Sequence, residues 1–255
     1  MTKTKKQLPA LNRLFSTGFP VLLFFTLSAA FAGCSDDDEE EVVKDDMEEV
    51  LNVITNSLKI ESNGLAASIS IATAHASAQG IFDFKDSVQC GKSYQDTIQA
   101  IADYDDHSYD YFVDRMYEVG CDSFGNPTLF NYAFTMAGTN DGIRVYIDEA
   151  VKSDWMFTQL HKTHEATLLN GTYRSFGKRE FKTGEKGITN VEISYTLQDI
   201  AVNKSSYEID SGTAQVSYNE ENERGNRYNY TGVITFNGKG KATLVINGNP
   251  YVIEL

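Results

Sequence analysis

Two clusters of side chains in this sequence have the residue types for metal chemistry. His161-Lys162-Thr163-His164 holds the one close histidine pair. Two imidazoles chelate a metal when they share a face, at i and i+3 or i+4 on a helix or at i and i+2 on a strand. On a strand an i, i+3 pair points to opposite faces, and only Glu165 stands nearby as a further ligand, so no metal is assigned. Asp103, Asp105, Asp106 and Asp110 gather hard oxygens around His107 that would suit Ca²⁺. The stretch lacks the central glycine and distal glutamate of an EF-hand loop and reads as a solvated hairpin tip.

Ser175-Phe176-Gly177-Lys178 matches S-x-x-K and Lys182-Thr183-Gly184 matches K-T-G. In penicillin-recognising enzymes these elements come from distant parts of a much larger fold, whereas here they are near neighbours, so chance explains them. No G-x-S-x-G, no phosphate-binding glycine loop and no zinc motif occurs. A carboxylate pair on a β-scaffold would serve a glycosidase, but spacing sets no two acids apart. The sequence therefore predicts neither a catalytic residue nor a cofactor.

The three cysteines, Cys34, Cys90 and Cys121, are more informative. Residues 1–33 read as a secretory signal: Lys3, Lys5, Lys6 and Arg13, then an apolar run centred on Val21–Leu27, then small residues. The run is too short, and too close to Gly18 and Pro20, for a spanning helix of about 20 apolar residues. Phe31-Ala32-Gly33-Cys34 resembles a bacterial lipobox, with Phe31 where leucine is usual. The resemblance implies that the Cys34 thiol receives a diacylglycerol and becomes the mature N-terminus. An ordinary secreted protein with Cys34 in a disulfide is the alternative. The run Ser35, Asp36, Asp37, Asp38 and on to Glu41 is similar to the surface-export signal of Bacteroidota lipoproteins, which implies an outer-membrane protein displayed on the cell surface. Read without the resemblance, the acids are a solvated spacer between membrane and domain. Asp86-Ser87-Val88 and Asp96-Thr97-Ile98 are similar to the O-glycosylation acceptor of the same group.

Formal charge is −14, from 22 basic and 36 acidic residues. A partner bound through phosphates would need a basic patch against a repulsive field, so nucleic acid is excluded as an expected partner. The membrane, reached through the N-terminal lipid, and an extracellular ligand are the expected partners. With 41% hydrophobic residues and 4 prolines, the chain is outside the collagen, low-complexity and multi-span membrane classes. The organisation predicted is a signal over 1–33, a lipidated cysteine and acidic tether over 34–49, and one β-rich domain over 50–255.

If Cys34 carries lipid, Cys90 and Cys121 remain as a pair suited to an oxidising compartment. Residues 109–121 alternate like a strand, with Tyr109, Tyr111, Val113, Arg115, Tyr117 and Val119 on one face. Placing Cys90 opposite Cys121 in an antiparallel hairpin puts the turn between Asp105 and Asp106. It also sets Tyr94 against Tyr117, Asp96 against Arg115 and Ile98 against Val113, pairs that favour neighbouring strands. A helix over 94–102 competes, since Tyr94, Ile98 and Ile101 also fit helical spacing.

The elements around this hairpin follow from periodicity. Val43, Met47, Val50, Leu51, Ile54 and Leu58 form a helical stripe over 43–59. Residues 65–80, rich in Ala and Ser, fit a helix or a strand equally. Leu129–Met136 and Ile143–Ile147 flank a predicted turn at 138–142, residues 191–198 alternate as a half-buried strand, and three strands with Asn-Gly turns end the chain. The fold class predicted is mainly β, an antiparallel sheet built as a sandwich, a barrel or a curved open sheet, with one N-terminal amphipathic helix. The functional expectation is a surface lipoprotein with a non-catalytic binding or structural domain. A hydrolase acting on glycan or peptide, and a carrier of lipid or another hydrophobic ligand, are the alternatives.

Overall fold

The computed structural model describes residues 40–255 apart from 61, 63, 85–88, 105–106 and 183–186, with side chains from Met47 onward. Two helices, α1 (Glu40–Leu58) and α2 (Leu65–Ala78), precede ten strands. These are β1 (Ser93–Asp103), β2 (His107–Cys121), β3 (Pro127–Gly142), β4 (Val145–Thr158) and β5 (Ala166–Phe181), then β6 (Ile188–Asn203), β7 (Ile209–Asn222), β8 (Arg227–Gly238), β9 (Lys241–Ile246) and β10 (Asn249–Glu254). All ten pair in chain order in one antiparallel sheet with β1 and β10 at its edges. Of the three predicted architectures, the open sheet is the one formed.

The registers bring one residue from each strand into a single row: Tyr94, Tyr117, Tyr132, Trp155, Gly171, Leu197, Ala214, Ile234, Leu244 and Tyr251. Because side chains alternate between faces, one such row fixes an entire face. That inner face is apolar and heavily aromatic, with Phe130, Tyr132, Trp155, Phe157, Tyr173, Tyr195 and Tyr218 all buried. Tyr132 and Tyr173 stack on either side of Trp155 at centroid distances of 6.2 and 6.5 Å.

The helices cover this aromatic floor. In α1 the buried residues are Val50, Val53, Ile54 and Leu58, close to the predicted stripe, although Leu51 is only half-buried. Ser57 Oγ meets Tyr195 Oη at 2.5 Å, and the His75 ring of α2 lies edge-on to Tyr117 at 4.9 Å. Residues 65–78 are helical, which decides the segment that periodicity left open and makes two helices where one was predicted. Alanine is the strongest helix former, and α2 buries one face while Ile71 on the other is 55% exposed. Leu65, Ile69, Ala72 and Ala76 reach under 1% exposure, and Thr73 satisfies its buried hydroxyl on the Ile69 carbonyl at 2.9 Å. No helix among the described residues is long and apolar enough to cross a membrane.

The first hairpin has the predicted register at every position, from Ser93 opposite Glu118 to Asp103 opposite Ser108. Cys90 and Cys121 are disulfide-bonded with Cα atoms 5.6 Å apart. Residues 94–102 are strand, not helix. One turn was misplaced. β3 continues through Gly138 to Gly142, and the reversal falls at Ile143–Arg144. The glycine at 138 serves a close approach within the sheet, not a turn. The last two hairpins turn at Lys239–Gly240 and Asn247–Gly248. Asn247 (φ 51°) and Gly248 (φ 79°) occupy the left-handed region that two-residue hairpins with right-handed strand twist require.

Candidate functional site

Cys34 and the run Ser35, Asp36, Asp37 and Asp38 lie outside the described residues, as does Asp86-Ser87-Val88. Asp105 and Asp106 of the acidic cluster and Thr183-Gly184 of the K-T-G match also lie outside the described residues. The sheet separates most of the remaining candidates. Ser175 faces the inner side and donates to Glu149 Oε2 at 2.9 Å. Lys178, three residues on, faces the outer side and pairs with Glu180 at 3.5 Å. Strand alternation thus keeps the S-x-x-K residues apart. Around the β1–β2 turn, Asp110 accepts from Gln99 Nε2 at 3.0 Å, and the Tyr104 and His107 rings stack at 4.7 Å. Among the described residues, no group of three His, Cys, Asp or Glu side chains is placed to hold a metal.

His161 and His164 do come into a shared crevice of ≈ 420 Å³, between the β2–β3 turn, the β4–β5 loop and Phe84. Each wall is built locally. Asp122 closes the β2–β3 turn, its Oδ1 accepting from the backbone N–H groups of Phe124 and Asn126, both at 2.9 Å. Hydrogen bonds from Asn126 hold the Asp122 carboxyl below the usual carboxylate range. His161 Nδ1 accepts from the Thr163 N–H at 3.3 Å. The same Nδ1 lies 2.8 Å from the Thr163 hydroxyl, so the ring is fixed against its own loop.

The loop behind this crevice is held by Lys204 from the β6–β7 turn. Its Nζ donates to the carbonyls of Gln159 at 2.6 Å, His161 at 2.7 Å and His164 at 3.0 Å. It also lies 5.3 Å from the centre of the Phe82 ring. Burial pushes the Lys204 ammonium down to about 8, and the three carbonyls satisfy all three of its donors. Sequence reasoning missed this residue because its partners are some forty positions away and no local pattern marks them.

A second missed cluster lies on the inner face. Glu149 accepts from Tyr111 Oη at 3.1 Å and from Ser175 Oγ. Burial, then the neighbouring Glu149 charge, pushes the Tyr111 phenol well above its ordinary value. Tyr111 therefore serves as the donor in this pair. Tyr218 donates to Glu220 in the same way, and burial raises its phenol too. A further depression, of ≈ 480 Å³, lies on the opposite face over β6–β9, lined by Thr196, Gln215, Thr231, Val233 and Asn247 among others.

No family model, curated protein or solved structure matches the chain.

Proposed function

We propose that this chain is a lipid-anchored protein of the bacterial outer membrane, displayed on the cell surface, whose β-domain is non-catalytic and acts by binding or as a structural part of the envelope. The observation that carries the reading is the Cys90–Cys121 disulfide. It fits an oxidising compartment outside the cytoplasm, and it uses the other two of the three cysteines, so that Cys34, directly behind the apolar segment, is left for the lipid. Two or three acyl chains on that residue give stable membrane attachment, each buried methylene contributing about 0.8 kcal/mol.

The two alternatives draw less support. A glycosidase needs one carboxyl held protonated near a second carboxylate, whereas hydrogen bonds hold Asp96 and Asp122 in the charged form. A hydrophobic carrier needs an apolar lumen. Here α2 and the end of α1 lie on the aromatic face.

Mass spectrometry of membrane-extracted protein tests the anchor. The expected mature N-terminus is a diacylglyceryl Cys34; an intact Met1, or a cleaved chain with unmodified Cys34, rejects it. Replacing Asp36–Asp38 by Ala and treating intact cells with protease tests the address. A protected, inward-facing protein is expected, and unchanged surface cleavage reduces the run to a spacer.

A further inference from the structure

The outer face of the sheet is divided between two chemistries. Over β2–β5 it carries Asp110, Asp114, Asp148, Lys152, Arg174 and Lys178, charges of both signs, interspersed with the exposed Phe112, Met116, Met156 and Phe176. Over β6–β10 a neutral field begins. It is bounded by Glu192, Glu221 and Arg227 at one end and by Asp199, Asp210, Lys241 and Glu254 at the other. Every outward position between those ends is Ser, Thr, Asn, Gln, Val or Pro. The registers make it continuous, with Thr196 opposite Gln215, Gln215 opposite Val233 and Val233 opposite Val245. Soluble surfaces are ordinarily about 25–35% charged, and neutral Thr- and Val-rich strands are an aggregation hazard. A wide neutral field in a chain of formal charge −14 therefore calls for a use.

The groove of ≈ 480 Å³ lies within this field. It forms because β9 ends at Ile246, opposite Gly232, while β8 extends back to Arg227, so the Asn247–Gly248 turn becomes a lip beside the bare edge of β8. We infer that this groove binds a neutral carbohydrate. Hydroxyl and carboxamide side chains both donate and accept, as sugar hydroxyls do, and Val233 and Val245, 48% and 38% exposed, present apolar surface to C–H faces. The volume lies in the range of about 300–1,000 Å³ typical of small-molecule sites.

The same chemistry disfavours other occupants. A phosphorylated, sulfated or uronic ligand would meet no cation between the two ends of the field. A protein partner would find none of the Trp, Tyr or Arg anchors that dominate protein interfaces. Sheet-on-sheet packing needs an apolar face, and this one is mostly hydroxyl and amide.

The inference rests on reading the domain as a non-catalytic binding module, and one titration separates the two. The full chain, in detergent, is titrated calorimetrically with linear neutral oligosaccharides of glucose, mannose, xylose and N-acetylglucosamine, and with an oligogalacturonate of matched length. At least one neutral sugar is expected to bind, with an affinity that changes less than about twofold from low to high salt because no charge pair is screened. The oligogalacturonate is expected not to bind. Gln215→Ala combined with Thr231→Ala should weaken binding about tenfold or more without lowering Tm, since both side chains are exposed. Failure of every neutral sugar to bind, preference for the acidic one, or unaltered binding by the double variant overturns the assignment. Sugar recovered as shorter fragments overturns the non-catalytic reading instead, and leaves the groove assigned if the double variant still binds weakly.

Discussion

Tyr111 reaches across Gly138 to hydrogen-bond a residue two strands away. The two are direct partners on β2 and β3, and a Cβ on residue 138 would lie 2.7 Å from Tyr111 Cα and 2.1 Å from the Asp110 carbonyl oxygen. Only the missing side chain lets the phenol lie flat enough to donate to Glu149 on β4. The inner face thereby turns from aromatic packing under the helices to a hydrogen-bonded row beyond them.

Gly138→Ala should therefore destabilise the protein by at least about 2 kcal/mol, the cost of overpacking against backbone that cannot move aside. Tyr111→Phe, which keeps the ring and deletes the donor, should cost about 1–2 kcal/mol. Denaturant titration measures both. A neutral Gly138→Ala would mean that the strands separate more readily than this contact allows.

Removing the disulfide by replacing Cys90 and Cys121 with Ala should cost about 3–4 kcal/mol in the chain-entropy model. The loss should be localised. β1 is an edge strand with one neighbour, so its amides, from Ser93 to Asp103, should lose hydrogen-exchange protection while β3–β7 keep theirs. Uniform loss over the sheet would argue that the hairpin belongs to the core.

Lys204→Met keeps the aliphatic stem and removes the three donors, leaving three carbonyls of the β4–β5 loop without their partner. A loss of about 2–3 kcal/mol is expected. His161 and His164, whose carbonyls Lys204 holds, should show shifted imidazole resonances. Unchanged histidine spectra would show that the loop holds its shape without the lysine.

His75 makes stability acid-sensitive. Burial first, and then the Arg115 charge, hold its imidazole below the ordinary value of 6.5, with Asp96 opposing, and the rings of Tyr117 and Tyr132 lie beside it. Below about pH 6.5 the unfolded chain takes up a proton that the folded one refuses, so stability falls as pH drops from about 7 toward the folded value and rises with pH in that window. The Asp96 carboxyl, held low chiefly by its hydrogen bond from Arg115, contributes only at lower pH, where stability falls again below its ordinary value of 3.8. His75→Phe should flatten the profile between about pH 5 and 7. A wild-type profile already flat there would place the imidazole in contact with water.

The sequence alone determined what is local. Alternation over 109–121 and the four pairings tied to Cys90 and Cys121 specified the first hairpin to the residue, because a strand has a period of two and any one-residue slip would reverse every face. The glycine-rich segments marked the last two hairpins for the same kind of reason, since few residues accept the backbone angles of turns such as Asn247–Gly248, although the first of the two reverses at Lys239–Gly240 and not at Asn237–Gly238. Tertiary structure decided the rest. Residues 65–78 bury one stripe, Leu65, Ile69, Ala72 and Ala76, but small and apolar residues, among them the exposed Ile71, stand on the other face too, so the sequence hides the period and only packing on the aromatic floor reveals it. Gly138 reads as a turn residue until Tyr111 is seen to cross it. Lys204 and its carbonyls, Glu149 and its donors, and the neutral field between Glu192 and Lys241 join residues far apart in the chain, which meet only because ten strands pair in order. Burial, close approach and the surface pattern of charge are relations between strands, and a sequence read along its length shows only relations within one.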